Sequence, residues 1–291
     1  ILKTENEDYV IASDTDSIYL NLGPLVETVY KGRETTNQSI VSFINKICEV
    51  EFEKYIEGSY ETLANYVNAY DNKMVMKREN IADRGIWTAK KRYILNVWDN
   101  EGVKYKEPQL KIMGIEAVKS STPEPCREKI KEGLKIIMNG TEKELNTFIQ
   151  DFREEFMTLS PEEIAYPRSV NGLSKFSDSN QLFAKGAPIH VKGAILYNHL
   201  VRKNKLGNKY PYILEGDKIK FINLKQPNIY QCSSISFITS LPKELDFHKI
   251  IDYDIQFEKS FVEPLNFILQ KINWLVDRSY GTQGTLEDFF G

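Results

Sequence analysis

Residues 8–22, DYVIASDTDSIYLNL, narrow the fold more than any other stretch of this chain. Two β-rich runs flank the short polar segment Ser13–Ser17, the pattern of a hairpin. The tip of that hairpin carries Asp14 and Asp16, two residues apart. Paired carboxylates on a tight turn offer hard oxygen donors that suit Mg²⁺. Two-metal phosphoryl chemistry uses such a site to hold the attacking and leaving oxygens. Asp-x-Asp is also ordinary composition for a solvated turn. An EF-hand is excluded, because Ile18 and Tyr19 stand where a fifth-position oxygen ligand and a sixth-position glycine are required. A metal-dependent sugar transferase remains open on the motif alone.

Downstream, apolar residues at 40, 43, 44, 47, 52 and 55 recur at helical spacing and predict a helix over 37–57, with a second over about 59–70. Residues 73–82 and 92–98 read as extended. Asp99-Asn100-Glu101-Gly102 reads as the turn into a strand at 103–107. Ser120-Ser121-Thr122-Pro123 marks a break before helices at about 124–139 and 141–157. Gly140 ends the first of these, and Thr141 caps the second with Glu144 three residues on. Residues 165–245 read as irregular with short strands, and a last amphipathic helix is expected at 259–276. This mixture points to an α+β fold.

At 291 residues the chain has room for one large or two ordinary domains, and with 41% hydrophobic residues it can build a core. No run approaches the roughly 18 uncharged apolar residues of a membrane span, so a soluble chain with no membrane partner is expected. Cys48, Cys126 and Cys232 lie too far apart in sequence for a thiolate zinc knuckle or a disulfide framework, as suits a reducing compartment. The net charge of −3 conceals strong blocks: −8 over residues 1–71, +5 over 72–119, −4 over 120–167, +8 over 168–225 and −4 over 226–291. Attraction to a polyanion depends on such local patches rather than on the total.

Each basic block holds a candidate site. Lys90-Lys91-Arg92-Tyr93 places three cations before an aromatic at the entry to a strand, able to hold a phosphate backbone and pack on a sugar or base. The same residues also suit a solvated edge with snorkelling lysines. Lys77-Arg78-Glu79 either brings an acid near that backbone or forms surface ion pairs. In Gly186-Ala187-Pro188-Ile189-His190-Val191-Lys192-Gly193, small residues permit close backbone approach. His190 and Lys192 are expected on one face of an extended segment, with a structural histidine as the alternative.

In this order, these segments resemble the C-terminal part of a family B DNA polymerase of the T-even-type bacteriophage kind. Asp14-Thr15-Asp16-Ser17-Ile18-Tyr19 is similar to that family's palm motif C, and Ala89 to Val97 to its K-K-R-Y segment. Leu110 to Glu116 with Ser120 to Pro123 resembles the palm-to-thumb transition. His190-Val191-Lys192-Gly193 resembles a thumb segment, and Leu286 to Gly291 a terminal clamp-binding peptide. The resemblance implies a partial palm over 1–113, a mainly helical thumb over 114–278 and a tail over 279–291.

The resemblance also implies roles. Asp16 binds both catalytic Mg²⁺ ions with Asp14 in support, and Glu79 stands beside them. Lys90, Lys91, Arg92, Tyr93 and Lys111 contact primer–template DNA, as do Lys175, His190 and Lys192 from the thumb. Leu286, Phe289 and Phe290 fill a pocket on a sliding clamp. Phe176 stands where relatives carry a tyrosine, and Asn80–Ile86 is a shorter connection than theirs. A second metal-binding aspartate, a fingers helix for the incoming dNTP and an exonuclease domain are not recognisable. With Ile1 in place of a methionine, they are expected to precede this sequence, on the same or a partner chain. The chain by itself is then expected not to extend primers. A phage-encoded protein acting in the bacterial cytoplasm follows from the same resemblance. A non-catalytic primer–template and clamp-binding module is the alternative.

Overall fold

A computed structural model describes residues 8–115, 119–178 and 181–278. The chain divides into two compact units, Ile1–Met113 and Gly114–Gly291. Elements of both types alternate in each unit, an α+β architecture.

The first unit begins with the expected hairpin. Strands β1 (Val10–Asp14) and β2 (Ser17–Leu20) pair antiparallel with Asp14 opposite Ser17. The two-residue tip, Thr15-Asp16, places Thr15 at φ 53°. Helix α1 (Gly23–Tyr30) follows, with Pro24 in its first turn where a missing N–H is harmless. Helix α2 (Asn37–Ile47) starts at Thr36, whose side chain accepts from the Ser39 N–H. It runs through a π turn (Cys48–Phe52) directly into α3 (Glu53–Tyr66). One bulged helix therefore replaces the two separate helices predicted.

Three antiparallel strands complete the unit in the order β3 (Asn80–Ala89), β4 (Arg92–Asn100), β5 (Val103–Met113). The β4–β5 turn has positive φ at both Glu101 and Gly102, as the favoured two-residue hairpin requires. Residues 73–79 belong to no strand, so the extended stretch predicted over 73–82 begins only at Asn80. Val41 and Ile44 of α2 pack with Ile81 of β3, and Leu22, Val26, Phe43 and Trp98 close around them.

The second unit opens with α4 (Glu124–Asn139) and α5 (Glu142–Phe156), within a residue of the predicted spans. The capping box between Thr141 and Glu144 is formed. Helices α9 (Tyr253–Phe257) and α10 (Glu263–Leu269) are joined by a π turn (Glu258–Val262). Helix α9 and the π turn pack on α5 through an aromatic stack in which Phe156 meets Phe257 at 5.2 Å and Phe152 meets Phe261 at 4.7 Å. The last helical segment thus begins earlier than the predicted 259–276, where Asp252 caps it by accepting from the Ile255 N–H, and it ends earlier too, at Leu269.

Short elements α6 (Pro161–Ile164), β6 (Tyr166–Ser169), α7 (Leu173–Phe176), β7 (Ser177–Asp178) and β8 (Leu182–Phe183) precede α8 (Ile189–Lys203). Strand β6 joins β9 (Lys218–Asn223) and β10 (Ser234–Phe237) in an antiparallel sheet ordered β10-β9-β6. Asn223 and Gln256 link sheet to helix through a buried bond of 2.7 Å, and Gln256 donates onward to the Ile164 carbonyl. The 15-residue α8 overturns the reading of 165–245 as irregular with short strands. Its residues Val191, Ala194, Leu196, Tyr197 and Val201 are buried.

Candidate functional site

In the first unit, two hairpin tips meet. Asp14 and Asp16 stand on the β1–β2 tip. Lys90 and Lys91 form the two-residue tip of β3–β4, with Ala89 paired to Arg92. Lys91 takes φ 61°, a left-handed backbone that the tight turn demands. Its ammonium lies 3.5 Å from Asp14 Oδ1. Thr15 Oγ1 donates to the same carboxylate at 3.2 Å, and Ser17 Oγ donates to the Asp14 carbonyl at 3.1 Å. Asp14 is thus half-buried and held, while Asp16 is exposed at the tip.

Behind the tips, the hairpins are joined by rings. Tyr19 of β2 packs edge-on against Trp87 of β3 and Tyr93 of β4, with ring centroids 5.5 Å apart in both cases. The Tyr19 hydroxyl donates to the Tyr93 hydroxyl at 3.0 Å. Burial, then that bond, pushes the Tyr93 phenol well above its ordinary pKa.

Asp16 also borders an open groove of about 1010 Å³ whose walls include Glu49, Glu53, Tyr60, Lys77 and Glu79. Glu79 accepts from the Lys111 ammonium, and this bond holds its carboxyl below the usual range. Lys111, expected on DNA, is therefore engaged within the protein. Arg78 departs from the surface ion pairs considered for Lys77-Arg78-Glu79. Its guanidinium donates to buried Asp99 and, through Nε and Nη2, to Asn45 at 3.0 and 2.6 Å. Asp99 also accepts from the Gly102 N–H at 2.8 Å. This strut ties the segment before β3 to α2 and the β4–β5 turn, and so fixes Glu79. Neither signal was readable locally, since Asp99 and Asn45 lie 21 and 33 residues from Arg78.

Among the described residues, no three His, Cys, Asp or Glu side chains gather where they could hold a metal. The β1–β2 tip carries two carboxylates, hard-oxygen groups of a kind that would fit part of a Mg²⁺ shell. No helix among the described residues is long and apolar enough to cross a membrane.

In the second unit, Lys175 lies on α7. Glu215 accepts there from the Gly172 and Leu173 N–H groups and so caps the helix. The Lys175 ammonium sits 5.2 Å from the Phe176 ring centre. His190 and Lys192 are in the first turn of α8 rather than in an extended segment, and residues two apart on a helix do not share a face. His190 packs 6.0 Å from the Phe221 ring, and burial, then Arg168, lowers its pKa. Lys192 reaches the Phe183 ring instead, at 5.8 Å. The close approach expected of the small residues is internal. A Cβ on Gly193 would stand 2.7 Å from Ser236 Oγ and 2.9 Å from the Ser236 nitrogen of β10. Leu286, Phe289 and Phe290 lie outside the described residues.

No protein-family model matches the chain. Curated relatives include the DNA-directed DNA polymerase of Enterobacteria phage T4, 32% identical over 300 residues, covering 99% of this chain and 32% of that protein. The DNA-directed DNA polymerase of Escherichia phage RB69 is 33% identical over 275 residues, covering 90% of this chain and 30% of that protein. The chain spans about a third of the length of these relatives. Along nearly all of its own length, the chain is similar to these DNA-directed DNA polymerases of two T-even-type phages.

Proposed function

We propose that this chain supplies the motif C edge of the palm, the thumb and the clamp tether of a phage DNA-directed DNA polymerase acting in the infected bacterial cytoplasm. The observation that carries the reading is the meeting of the carboxylate tip with the cationic tip, Asp14 to Lys91 at 3.5 Å, in a chain similar to two phage polymerases along almost its whole length. Asp16 and Asp14 are proposed ligands of Mg²⁺, whose shell needs a further aspartate from the remaining polymerase. When bound, such ions activate the primer hydroxyl and neutralise the dNTP phosphates. Glu79 borders the same groove as Asp16 and is the proposed acid beside the metal site, its charge paired with Lys111.

Lys90, Lys91 and Arg92 would hold the primer–template backbone at a rigid turn with Tyr93 at its root, Lys111 lying farther along on β5. From the thumb, Lys175 and Lys192 would contact duplex phosphates. His190, half-buried and lowered in pKa, would act there as a neutral hydrogen-bonding group. Leu286, Phe289 and Phe290 are the proposed anchors on a sliding clamp, with modest affinity raising the local concentration at primer ends.

Primer extension by the chain joined to or mixed with the remaining polymerase polypeptide tests this. Asp16→Asn should abolish extension and leave primed-DNA binding largely intact. If Asp16→Asn extends as well as the parent, the alternative of a non-catalytic primer–template and clamp-binding module gains. Absence of salt-sensitive binding to primed DNA would sink both readings.

A further inference from the structure

Trp87 belongs to neither tip, yet both hairpins meet on it. It pairs across the strands with Tyr93, at a centroid distance of 6.1 Å, and takes the edge of Tyr19 from β2 at 5.5 Å. Its indole lies over the strand two residues back, on Gly85. A Cβ there would stand 2.5 and 2.8 Å from Cζ3 and Cη2 of Trp87, well inside contact distance. Residues 85 and 87 share one face of β3, so the glycine is what lets the indole lie down and reach Tyr19. At the far end of the two hairpins stands the Lys91–Asp14 pair. An exposed pair of this kind contributes little by itself. Its geometry has to be set by something stiffer, and the packed rings behind it are the connection available.

We propose that Trp87, seated on Gly85 and locked by the Tyr19–Tyr93 hydroxyl bond, is a positioning residue that sets the spacing between the carboxylate tip and the cationic tip. Its use in catalysis rests on the polymerase reading, since it would align a metal site with the DNA grip; the spacing itself does not. Neither Trp87 nor Gly85 touches DNA or metal in this scheme.

Zero-length carbodiimide crosslinking of the intact chain, mapped by peptide mass spectrometry, reads the spacing directly. In the parent, Lys91 crosslinks to Asp14 and Lys111 to Glu79, the second pair reporting that the unit is folded. Trp87→Ala and Gly85→Ala should each lose the Lys91–Asp14 product and keep the Lys111–Glu79 product. Trp87→Phe should restore the first, because an aromatic surface remains for Tyr19. Retention of both products in Trp87→Ala overturns the proposal. Loss of both in Trp87→Ala and Gly85→Ala also overturns it, because the residue would then hold up the whole unit rather than space its tips. With the remaining polymerase present, Trp87→Ala should slow extension about tenfold or more at saturating DNA, and Trp87→Phe should recover most of it. A chain that shows the Trp87-dependent crosslink but no affinity for primed DNA would refute the polymerase reading and leave the spacer standing.

Discussion

Replacing Arg78 by methionine tests the strut beneath Glu79. The side chain of Arg78 is 11% exposed and that of Asp99 is 1% exposed. The substitution keeps the aliphatic stem but removes the donors to Asp99 and Asn45. What remains is a buried carboxylate that, among the described residues, keeps the Gly102 N–H as its donor. Removing one partner of a buried ion pair costs about 3–5 kcal/mol, most of it the penalty on the stranded charge. The exposure of these two groups is low enough for that range to apply without much discount for solvent.

Asp99→Asn added to Arg78→Met removes the charge and should recover roughly half the loss, so that the two effects couple by about 2 kcal/mol or more. Urea unfolding followed by tryptophan emission measures this. Trp87 and Trp98 report on the first unit once Trp274, in the second, is replaced by phenylalanine. A loss below about 1 kcal/mol for Arg78→Met, or strictly additive effects in the double variant, would refute the argument that the pair is a buried, coupled strut.

Gly193→Ala gains about 0.5–1 kcal/mol of helix propensity but drives a methyl into the β10 backbone, where overpacking costs about 1–3 kcal/mol. The net should be destabilising, with DNA affinity unchanged below the unfolding transition; a rise in thermal midpoint would contradict the close contact. His190 has a folded-state pKa below its unfolded value, so the unfolded chain takes up the proton first as the pH falls. Stability should therefore drop as the pH falls through about 6.5 and level off once the folded state is also protonated. His190→Gln should show a smaller difference in urea midpoint between about pH 7.5 and about pH 5.5; an equal difference would remove His190 as the cause. Lys91→Ala and Lys175→Ala should each lower the salt slope of primed-DNA binding by about one, read by fluorescence anisotropy at several salt concentrations. An unchanged slope would take that lysine off the phosphate backbone.

What could be read from sequence follows the range of the interaction that specifies it. The β1–β2 hairpin, α4 and α5 depend on neighbours within a few residues: the β-rich runs around Ser13–Ser17, the Gly140 stop, the Thr141–Glu144 box. They came out at nearly their true places. Helix α8 did not. It is buried over most of its circumference, so its polar stripe of Lys192, His199 and Lys203 is narrow, and its small residues imitate a loop built for close approach. Close approach does occur at Gly193, but its partner is the protein's own strand β10.

The site divides the same way. The carboxylate tip and the cationic turn were visible as motifs because each is a local turn. Their meeting, the engagement of Lys111 by Glu79 and the burial of Arg78 on Asp99 are products of the fold. No spacing announces them. The role of Trp87 is not legible in sequence, because the signal that distinguishes it, a glycine two residues earlier on the same face, gains meaning only when both rings it meets are in place.

The π turn between α9 and α10 has a consequence for heredity. Pro264 cannot donate to the fourth residue back, and the Glu263 N–H bonds to the Glu258 carbonyl five residues away. One residue is thereby accommodated as a bulge, and the phase of everything beyond it is shifted. Leu265, Ile268 and Leu269 face the core only in that shifted phase. Loss of a single codon between 258 and 262 would turn them by about 100° toward solvent, even with the reading frame intact and every remaining residue unchanged. Surface loops of the same length absorb such losses readily. In this segment the core depends on the number of residues as much as on their identity.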